Sequence, residues 1–324
     1  VAELLSILAL SGDEPVTLPR GEGETSLGQA LAEKLYFLAR PGPGFIRTVM
    51  ESASGASERE SLQSVLNEPV ELLQDYIRWH QHMDVLRETP SAKLSAQQLV
   101  DALPRLAPRL YSISSSPVLF PQQAHLTVAV VRYDLGGMRR KGLASTWLAE
   151  RVVPGRTTIP CFAAKGAMRL PADGARDIVM IGPGAGVAPF RAFIQERQAL
   201  GASGRNWLFY GHRHEATDFY YRDEMEAWLA GGQLAKLSLA WSRDQARKHY
   251  VQHLVWEQRD QLWDWLENGA TLYLCGEKAH MAADVEAALC RIAVEKRAAP
   301  DDPEALKAWI KAMKKEKRFQ TDVY

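Results

Sequence analysis

The sequence predicts an α/β fold with an additional β part. The parts are a helical connecting subdomain, a small antiparallel β-barrel, either complete or incomplete, and a doubly wound parallel-sheet domain. Three observations predict this architecture. Helical runs dominate residues 1–105, short alternating strands occupy residues 106–172, and strands alternate with helices over residues 173–324. We therefore expect three regions with these bounds.

The first region has the apolar spacing of amphipathic helices, interrupted by Pro and Gly. Ser26 is a candidate cap for a helix that ends before Pro41-Gly-Pro-Gly44. Further helical runs cover about 58–67, 70–80 and 95–103. No catalytic constellation is visible in this region, and its residues indicate no function by themselves.

The second region alternates apolar and polar residues, which is the pattern of half-buried strands. Pro108–Pro117 and His125–Asp134 are the clearest runs. In the first run, Arg109 and Tyr111 lie two residues apart, so a strand would place a cation and an aromatic ring on one face. Such a pair suits a pyrophosphate and a flat ring system, although a solvated or ion-paired arginine explains Arg109 equally well.

Two glycine-containing turns open helices and are candidate anion sites. Gly142-Leu-Ala-Ser-Thr146 offers free backbone N–H groups and two hydroxyls, although an ordinary helix start is the alternative. Asp177–Arg191 runs from a buried strand through Gly182-Pro-Gly-Ala-Gly186 into an amphipathic helix. Its glycines allow a sharp turn close to a ligand, and the helix dipole favours a phosphate. The spacing is G-x-G-x-G and not the usual G-x-G-x-x-G, so a merely tight turn is the alternative.

After this turn the chain continues as strand–helix units. The predicted strands are 206–211, 234–241 and 270–275, and the predicted helices are 218–230, 251–268 and 278–293. Such units form a parallel sheet that binds ligands at the carboxyl ends of its strands. One strand end carries a hydroxyl, two cations and an aromatic ring, contributed by Ser242, Arg243, Lys248 and Tyr250. Together they suit the 2′-phosphate of NADPH, and a solvated charged loop is the alternative.

The cysteines and the chain end add two candidates. Cys161, Cys275 and Cys290 lack metal-ligand spacing, so we expect reduced thiols and no metal site. Cys275 ends a predicted strand, where a small polarizable side chain can line a nicotinamide, although a buried small hydrophobe is the commoner role. The terminal Tyr324 matters only if it is buried, and a frayed tail is the default expectation.

Composition argues against several classes of function. The chain has 39 basic and 39 acidic residues and 46% hydrophobic residues, so its net charge gives no reason to expect a nucleic-acid or membrane partner. No run of about 18 apolar residues predicts a transmembrane helix. The start lacks the basic region of a signal peptide, so we expect a cytoplasmic protein. The first residue is Val1, which makes a truncated chain plausible.

Six motifs, in this order, resemble the diflavin reductases, and most closely the FAD/NADPH (ferredoxin-NADP-reductase-like) part of the flavoprotein component of bacterial NADPH-sulfite reductases. They are Arg109-Leu-Tyr-Ser, Gly142-Leu-Ala-Ser, Gly182-Pro-Gly-Ala-Gly-Val-Ala-Pro-Phe-Arg191, Leu239-Ala-Trp-Ser-Arg-Asp-Gln245, Tyr273-Leu-Cys-Gly276 and the terminal Asp-Val-Tyr. The resemblance covers almost the whole chain. It implies a helical connecting subdomain with part of the FAD domain over 1–105, part of the FAD-binding barrel over 106–172, and an NADPH-binding Rossmann-like domain over 173–324.

The resemblance also implies roles for single residues. Those implied to contact FAD are Arg109, Tyr111, Ser112, Tyr133, Gly142, Ala144, Ser145 and Tyr324. Those implied to contact NADPH are Gly184, Gly186, Ser242, Arg243, Lys248, Tyr250, Gln252 and Asp284. Tyr324 would stack on the flavin and move aside for the nicotinamide. Ser112, Cys275 and Asp322 would surround the reacting atoms and, with Tyr324, form the catalytic set.

The implied reaction is hydride transfer from NADPH to FAD, followed by electron transfer through FMN to the sulfite reductase haemoprotein. The FMN would belong to a flavodoxin-like domain missing from this sequence, which suggests a fragment. One alternative is a reductase that serves another acceptor, such as a cytochrome or a flavodoxin. Another is a non-catalytic fragment without stable FAD binding. Ala185 stands where the family usually has Thr, so we expect weaker NADPH binding.

Overall fold

A computed structural model describes all of residues 1–324 and divides the chain into two compact units. The first unit consists of Val1–Arg109 and Val130–Arg151, and the second of Leu110–Ala129 and Val152–Tyr324. None of the helices combines the length and the apolar character needed to cross a membrane.

The first unit is mainly helical. Its helices are α1 Ala2–Leu8, α2 Leu27–Glu33, α3 Pro43–Ser52, α4 Ala56–Asn67, α5 Val70–Trp79, α6 His82–Glu88, α7 Ala96–Ala102 and α8 Leu143–Glu150. Two short antiparallel pairs accompany them, β1 Pro15–Thr17 with β2 Glu24–Ser26 and β3 Arg132–Leu135 with β4 Met138–Lys141. The three helical runs predicted between residues 58 and 103 are confirmed as α4, α5 and α7.

Local capping and apolar burial explain these helices. Ser26 begins α2 by accepting a hydrogen bond from the Gln29 N–H, as the sequence predicts, and Ser95 forms a reciprocal capping box with Gln98 at the start of α7. The helices bury one shared apolar core, in which Leu27, Ile46 and further residues such as Val85 and Leu99 are fully covered. Burial of this core is the main stabilising contribution to the unit.

The antiparallel barrel predicted for residues 106–172 is not formed. Only β3, β4 and α8 are regular there, together with one isolated bridge between Ile113 and Leu126. The strand predicted over His125–Asp134 is regular only from Arg132 onward. The backbone groups of a strand need a neighbouring strand, and no strand pairs with residues 127–131, of which Val131 instead bonds the Gly142 N–H and the Ser145 hydroxyl. Apolar side chains such as Leu126 and Val131 consequently remain exposed.

The second unit contains a five-stranded parallel sheet, which confirms the predicted doubly wound domain. Its strands are β5 Ile178–Ile181, β6 Asn206–His212, β7 Lys236–Trp241, β8 Thr271–Gly276 and β9 Phe319–Val323. The spatial order is β7-β6-β5-β8-β9, and every neighbouring pair is parallel. The chain leaves β5 toward one edge and later returns to the other side of β5, so the topological switch point lies between β5 and β8.

Helices connect the strands of this sheet. They are α9 Ala188–Ala199, α10 Glu215–Asp218, α11 Arg222–Ala230, α12 Val251–Glu257, α13 Arg259–Glu267, α14 Ala283–Glu295 and α15 Pro303–Lys315. The single helix predicted over 251–268 is wrong, because Gln258 leaves the helical conformation at φ −104° and separates α12 from α13. The expectation of a frayed chain end is also wrong, since Phe319–Val323 pairs with β8 as a fifth strand.

Side-chain alternation along the central strands builds a core on each face of the sheet. Trp207, Phe209 and Leu274 belong to one apolar cluster, and Tyr210 and Tyr273 belong to the other. The strands β5, β6 and β8 are buried on both faces, which explains their nearly continuous apolar sequences.

Replacing Phe209, which is 0% exposed, by Ala removes a large ring from the centre of the sheet. We expect Phe209→Ala to reduce the free energy of unfolding of the second unit by about 3–5 kcal/mol, because a cavity remains. The control is Leu200→Ala at a side chain that is 66% exposed, where the change should stay within about 0.5 kcal/mol. Urea unfolding followed by circular dichroism measures both, and equal effects would contradict the described core.

Candidate functional site

The predicted glycine-rich turn lies at the switch point of the sheet. It follows β5 as a 3₁₀ turn, Gly184–Val187, and leads directly into α9. The Gly182 N–H donates to the Phe209 carbonyl, so the turn begins where β5 leaves the ladder with β6. The Gly186 N–H donates to the Pro183 carbonyl and the Ala188 N–H to the Ala185 carbonyl, so the Gly184 and Ala185 amides at the start of the 3₁₀ turn are the ones left to bind an anion.

The three glycines of this turn are required for different reasons. A Cβ at Gly186 would lie 2.2 Å from the carbonyl oxygen of Cys275, and a Cβ at Gly182 would lie 2.6 Å from the carbonyl oxygen of Gly186. These two glycines therefore allow close packing within the protein. Gly184 alone has a positive φ, +56°, and a Cβ there would meet only the His212 ring, at an ordinary contact distance of 3.5 Å. Close approach of a ligand is sterically simplest at Gly184.

Three of the four predicted catalytic residues lie together beside this turn. Cys275 on β8 is in register with Asp322 on β9, and the Ser112 hydroxyl donates to Asp322 Oδ2 over 3.2 Å. The cluster brings together residues 112, 275 and 322, which are distant in sequence. Its three members offer a hydroxyl, a thiol and a carboxylate at the carboxyl end of the central strands.

The thiol in this cluster is uncharged at neutral pH. Cys275 is 1% exposed, and its burial raises the pKa of the thiol to about 12, with the nearby Asp322 carboxylate contributing in the same direction. A hydrogen bond with Ser112 acts in the opposite direction and lowers the pKa. Cys275 is therefore a poor nucleophile, and its contribution to a site is its shape and polarizability.

The fourth member, Tyr324, follows β9 and is anchored through its backbone. Its N–H donates to the Gly276 carbonyl, and its own carbonyl accepts from Lys278 N–H. The side chain is 66% exposed, so the ring is free to pack against a ligand or to move. Tyr111, the predicted ring partner of a flavin, is half-buried in the same unit.

The predicted 2′-phosphate residues follow β7 and the start of α12. Ser242 and Arg243 continue the backbone pairing with His212 and Arg213 beyond the strand. Neighbouring carboxylates have partners, Asp244 in His214 and Glu257 in His249. The Arg243 and Lys248 side chains are exposed and lack a carboxylate partner. Unpaired cations beside a hydroxyl suit a phosphomonoester.

A cavity of about 820 Å³ collects only part of this set. Its walls include Lys248, Gln252 and Asp284, and Gln252 Nε2 donates to Asp284 Oδ2 over 3.0 Å. Ser242, Arg243 and Tyr250 lie outside its lining. Tyr250 caps α12, and its ring lies 5.8 Å from that of His253. The cavity adds cations that sequence reasoning did not select, Arg247 and Arg291 among them.

In the first unit the structure places the remaining predicted residues. Gly142 begins α8, where a Cβ would lie 2.7 Å from the Val131 side chain. The Ser145 hydroxyl accepts from the Val131 N–H, and the Thr146 hydroxyl donates to the Gly142 carbonyl. Both hydroxyls are thus bound within the protein, and the first-turn amides, including that of Ala144, are the groups left to hold an anion.

Arg109 and Tyr133 have few contacts in the same unit. The Arg109 guanidinium donates to the Ala107 carbonyl and lies 5.4 Å from the centre of the Tyr36 ring. Tyr133 projects from β3 and is exposed. No carboxylate neutralises Arg109, so the simple ion-pair alternative for this arginine does not apply.

Comparison with known proteins shows what the chain is similar to. Residues 1–147 match the family described as FAD binding domain, and residues 180–287 match the family described as oxidoreductase NAD-binding domain. The whole chain aligns with the sulfite reductase [NADPH] flavoprotein alpha-components of Cronobacter sakazakii, at 40% identity over 324 residues, and of Mannheimia succiniciproducens, at 41% over 325. The chain is a homologue of these flavoproteins.

This homologue of the sulfite reductase flavoprotein contains an FAD-binding domain followed by an NAD-binding domain, as its motifs predict. It spans about half the length of the curated relatives it matches, 52% in both cases. It is thus an oxidoreductase-type chain that carries FAD and NAD(P) domains.

Two residues near the site were missed by sequence reasoning. His212 borders Gly184, and Arg191 on α9 is buried with contacts to Ser114 and Glu224. In the sequence, His212 follows an apolar strand and Arg191 ends the glycine-rich motif. At such positions the sequence does not distinguish a buried polar side chain from a solvated one. Only the partners that the fold supplies reveal them.

Adding a methyl group at Gly186 tests the packing of the turn. We expect Gly186→Ala to destabilise the second unit by about 2 kcal/mol or more, because the new Cβ conflicts with the Cys275 backbone and not with a movable side chain. Gly174→Ala is the matched control, since its Cβ would meet nothing closer than 3.5 Å. Thermal unfolding of both variants compares them, and a Gly186→Ala variant as stable as the control would refute this backbone contact.

Proposed function

We infer that this homologue is the FAD/NADPH part of a sulfite reductase flavoprotein, in which NADPH reduces FAD and the electrons pass through an FMN module to the haemoprotein. The observation that carries this proposal is the Ser112–Cys275–Asp322 cluster at the switch point, directly beside the glycine-rich turn. When bound, FAD would accept a hydride from NADPH and release the electrons singly.

The NADPH side of the proposal is supported by the second unit. The free amides of Gly184 and Ala185 would hold the dinucleotide pyrophosphate, and Gly186, whose N–H donates to the Pro183 carbonyl, would let the turn pack closely. The unpaired Arg243 and Lys248 cations would bind the 2′-phosphate with Ser242. Tyr250, Gln252 and Asp284 would complete the adenosine end. Ala185 supplies no hydroxyl to the pyrophosphate, which supports the expectation of weaker binding.

Residues in each of the two units support the FAD-binding part of the proposal. In the first unit, the amides of Ala144 and Ser145 would hold the FAD diphosphate beside Gly142, whose own N–H donates to the Val131 carbonyl. Arg109 would add a free cation and Tyr133 an exposed ring. In the second unit, Tyr111 and the exposed Tyr324 ring would contact the flavin.

The catalytic cluster would act by position and charge. Oxidation of NADPH leaves a positive charge on the nicotinamide, and the Asp322 carboxylate would stabilise that charge. Ser112 holds Asp322 through its hydroxyl, and the neutral Cys275 thiol adds no competing negative charge. This division of roles matches a hydride-transfer site better than a nucleophilic one.

One observation supports a different function. The segments expected to form the FAD barrel are mostly irregular and carry exposed apolar residues such as Leu110, Leu126 and Phe162. This observation favours the alternative that the chain is a fragment that does not bind FAD by itself.

The alternative of a reductase for another acceptor, such as a cytochrome or flavodoxin, involves the same reduction of FAD by NADPH. The domain bounds and the cytoplasmic location also remain predictions, the latter supported by three free cysteines.

Adding FAD to the purified chain, and then NADPH without oxygen, separates these functions. We expect a flavin absorbance band near about 450 nm that bleaches when NADPH is added. Reduction of sulfite reductase haemoprotein in the presence of a free FMN domain then tests the acceptor. A chain that takes up no FAD under any condition would refute the reductase proposal for this chain and leave the non-catalytic alternative.

Removing the two unpaired cations tests cofactor selection. We expect Arg243→Gln combined with Lys248→Met to raise KM for NADPH by about 10- to 100-fold and to leave KM for NADH nearly unchanged, because charged hydrogen bonds to the 2′-phosphate are lost. Ferricyanide reduction measures both constants. Lys315→Met, at an exposed lysine of α15, is the control. An equal rise for both dinucleotides would show that the cations do not read the phosphate.

A further inference from the structure

We propose that Arg191 is a positioning residue for hydride transfer: through it, α9 holds the segment Ser112–Ser116 in the geometry that the flavin site needs. The proposal rests on the proposed function, because it takes Ser112 as part of that site. The sequence motifs assign no role to Arg191, and Arg191 is not a member of the Ser112–Cys275–Asp322 cluster.

Arg191 is the buried centre of a network of side chains within the second unit. It is 8% exposed, and its Nε and Nη2 atoms donate to the two oxygens of Glu224 over 2.8 Å each. Its Nη1 donates to the Ser114 carbonyl over 2.7 Å. A buried guanidinium with a bidentate carboxylate and a backbone acceptor fixes the geometry of all three partners.

A histidine and a tyrosine complete the surroundings of the guanidinium. Nη1 lies 3.2 Å from His125 Nδ1, and because arginine has only donors, that nitrogen must accept. The proton of the neutral ring then lies on Nε2, which faces Gln123 Oε1 at 3.0 Å. The Tyr221 ring lies 4.7 Å from the guanidinium carbon, a cation–π distance. Arg191 thus fixes one tautomer of His125 and joins residues 114 and 125.

Two further residues of α9 bind the same segment. Gln195, also buried, accepts from the Ser116 N–H over 3.0 Å, and Glu196 hydrogen-bonds the Ser116 hydroxyl. Residues 114–116 are buried and have no regular strand partner. Their backbone bonds are the Ser114 N–H to the His125 carbonyl and the Phe120 N–H to the Ser116 carbonyl. Side chains of α9 therefore supply the hydrogen bonds that a sheet would otherwise supply.

This arrangement connects the two parts of the proposed site. The helix α9 starts immediately after the glycine-rich turn, and Ser112 lies two residues before Ser114. A loosened Ser114–Ser116 backbone would displace the Ser112 hydroxyl from Asp322, whereas the turn itself would keep its amides. The expected signature is therefore a loss in the rate of hydride transfer with little change in dinucleotide binding.

Three variants test this role. Arg191→Lys keeps the charge, but the lysine cannot reach Glu224, Ser114 and His125 at once. Gln195→Met is a milder change, because it removes only the acceptor for the Ser116 N–H. Arg197→Lys is the matched control on the same helix. Arg197 is similarly buried, but it donates to the carbonyls of Arg176 and Gly204 and not to residues 112–116.

Amide hydrogen exchange on the full chain without cofactor is the first measurement. We expect residues 112–118 to exchange about tenfold faster or more in Arg191→Lys and Gln195→Met, and at the wild-type rate in Arg197→Lys. Unchanged exchange of this segment in both test variants would overturn the proposal.

Steady-state reduction of ferricyanide by the FAD-loaded chain is the second measurement. We expect kcat to fall about tenfold in Arg191→Lys while KM for NADPH changes less than about twofold, with Arg197→Lys close to wild type. Faster exchange with an unchanged kcat would show a structural role only and overturn the positioning role. A wild-type chain that binds no FAD would refute the proposed function, while the exchange data would still decide whether Arg191 holds the segment.

Discussion

The close approach of Gly186 to the end of β8 is the constraint on which the arrangement of the second unit's site depends. No side chain fits between the turn and the Cys275 carbonyl, so the glycine-rich turn and the strand end touch through their backbones. Because Cys275 is in register with Asp322, and Asp322 accepts from Ser112, this one contact places a thiol, a carboxylate and a hydroxyl beside the turn. The proposed dinucleotide site and the proposed reacting groups would thereby share one edge of the sheet.

Charge is distributed unevenly around this edge. Near the turn, burial keeps Cys275 as a neutral thiol, and Asp322 is the charged member of the cluster. Farther along, beyond β7, exposed cations lack carboxylate partners although the whole chain has equal numbers of basic and acidic residues. A balanced total therefore conceals a local excess of positive charge, and it is this local excess that suits a phosphorylated ligand.

Regions of the chain differ in how far local sequence could predict their structure. Helices with caps and apolar faces, such as those begun by Ser26 and Ser95, follow from a few adjacent residues. The segment 106–131 has the alternation of strands but lacks their partners, because pairing depends on distant segments. The polar side chains of α9 compensate part of this loss by binding Ser114 and Ser116 directly. The sequence of α9 alone does not indicate that its side chains bind this segment.

The sequence by itself determined the central strands and the glycine-rich turn, because strands buried on both faces require continuous apolar runs and a backbone-to-backbone contact requires glycine. It also revealed the resemblance to the sulfite reductase flavoproteins, through motifs that occur in the same order. Tertiary structure alone decided that Phe319–Val323 is a strand and that Arg191 is buried on Glu224, and it supplied the Ser112–Asp322 hydrogen bond within a grouping that the resemblance had implied. These outcomes depend on partners more than 30 residues away, and no local pattern encodes which distant group will supply a hydrogen bond.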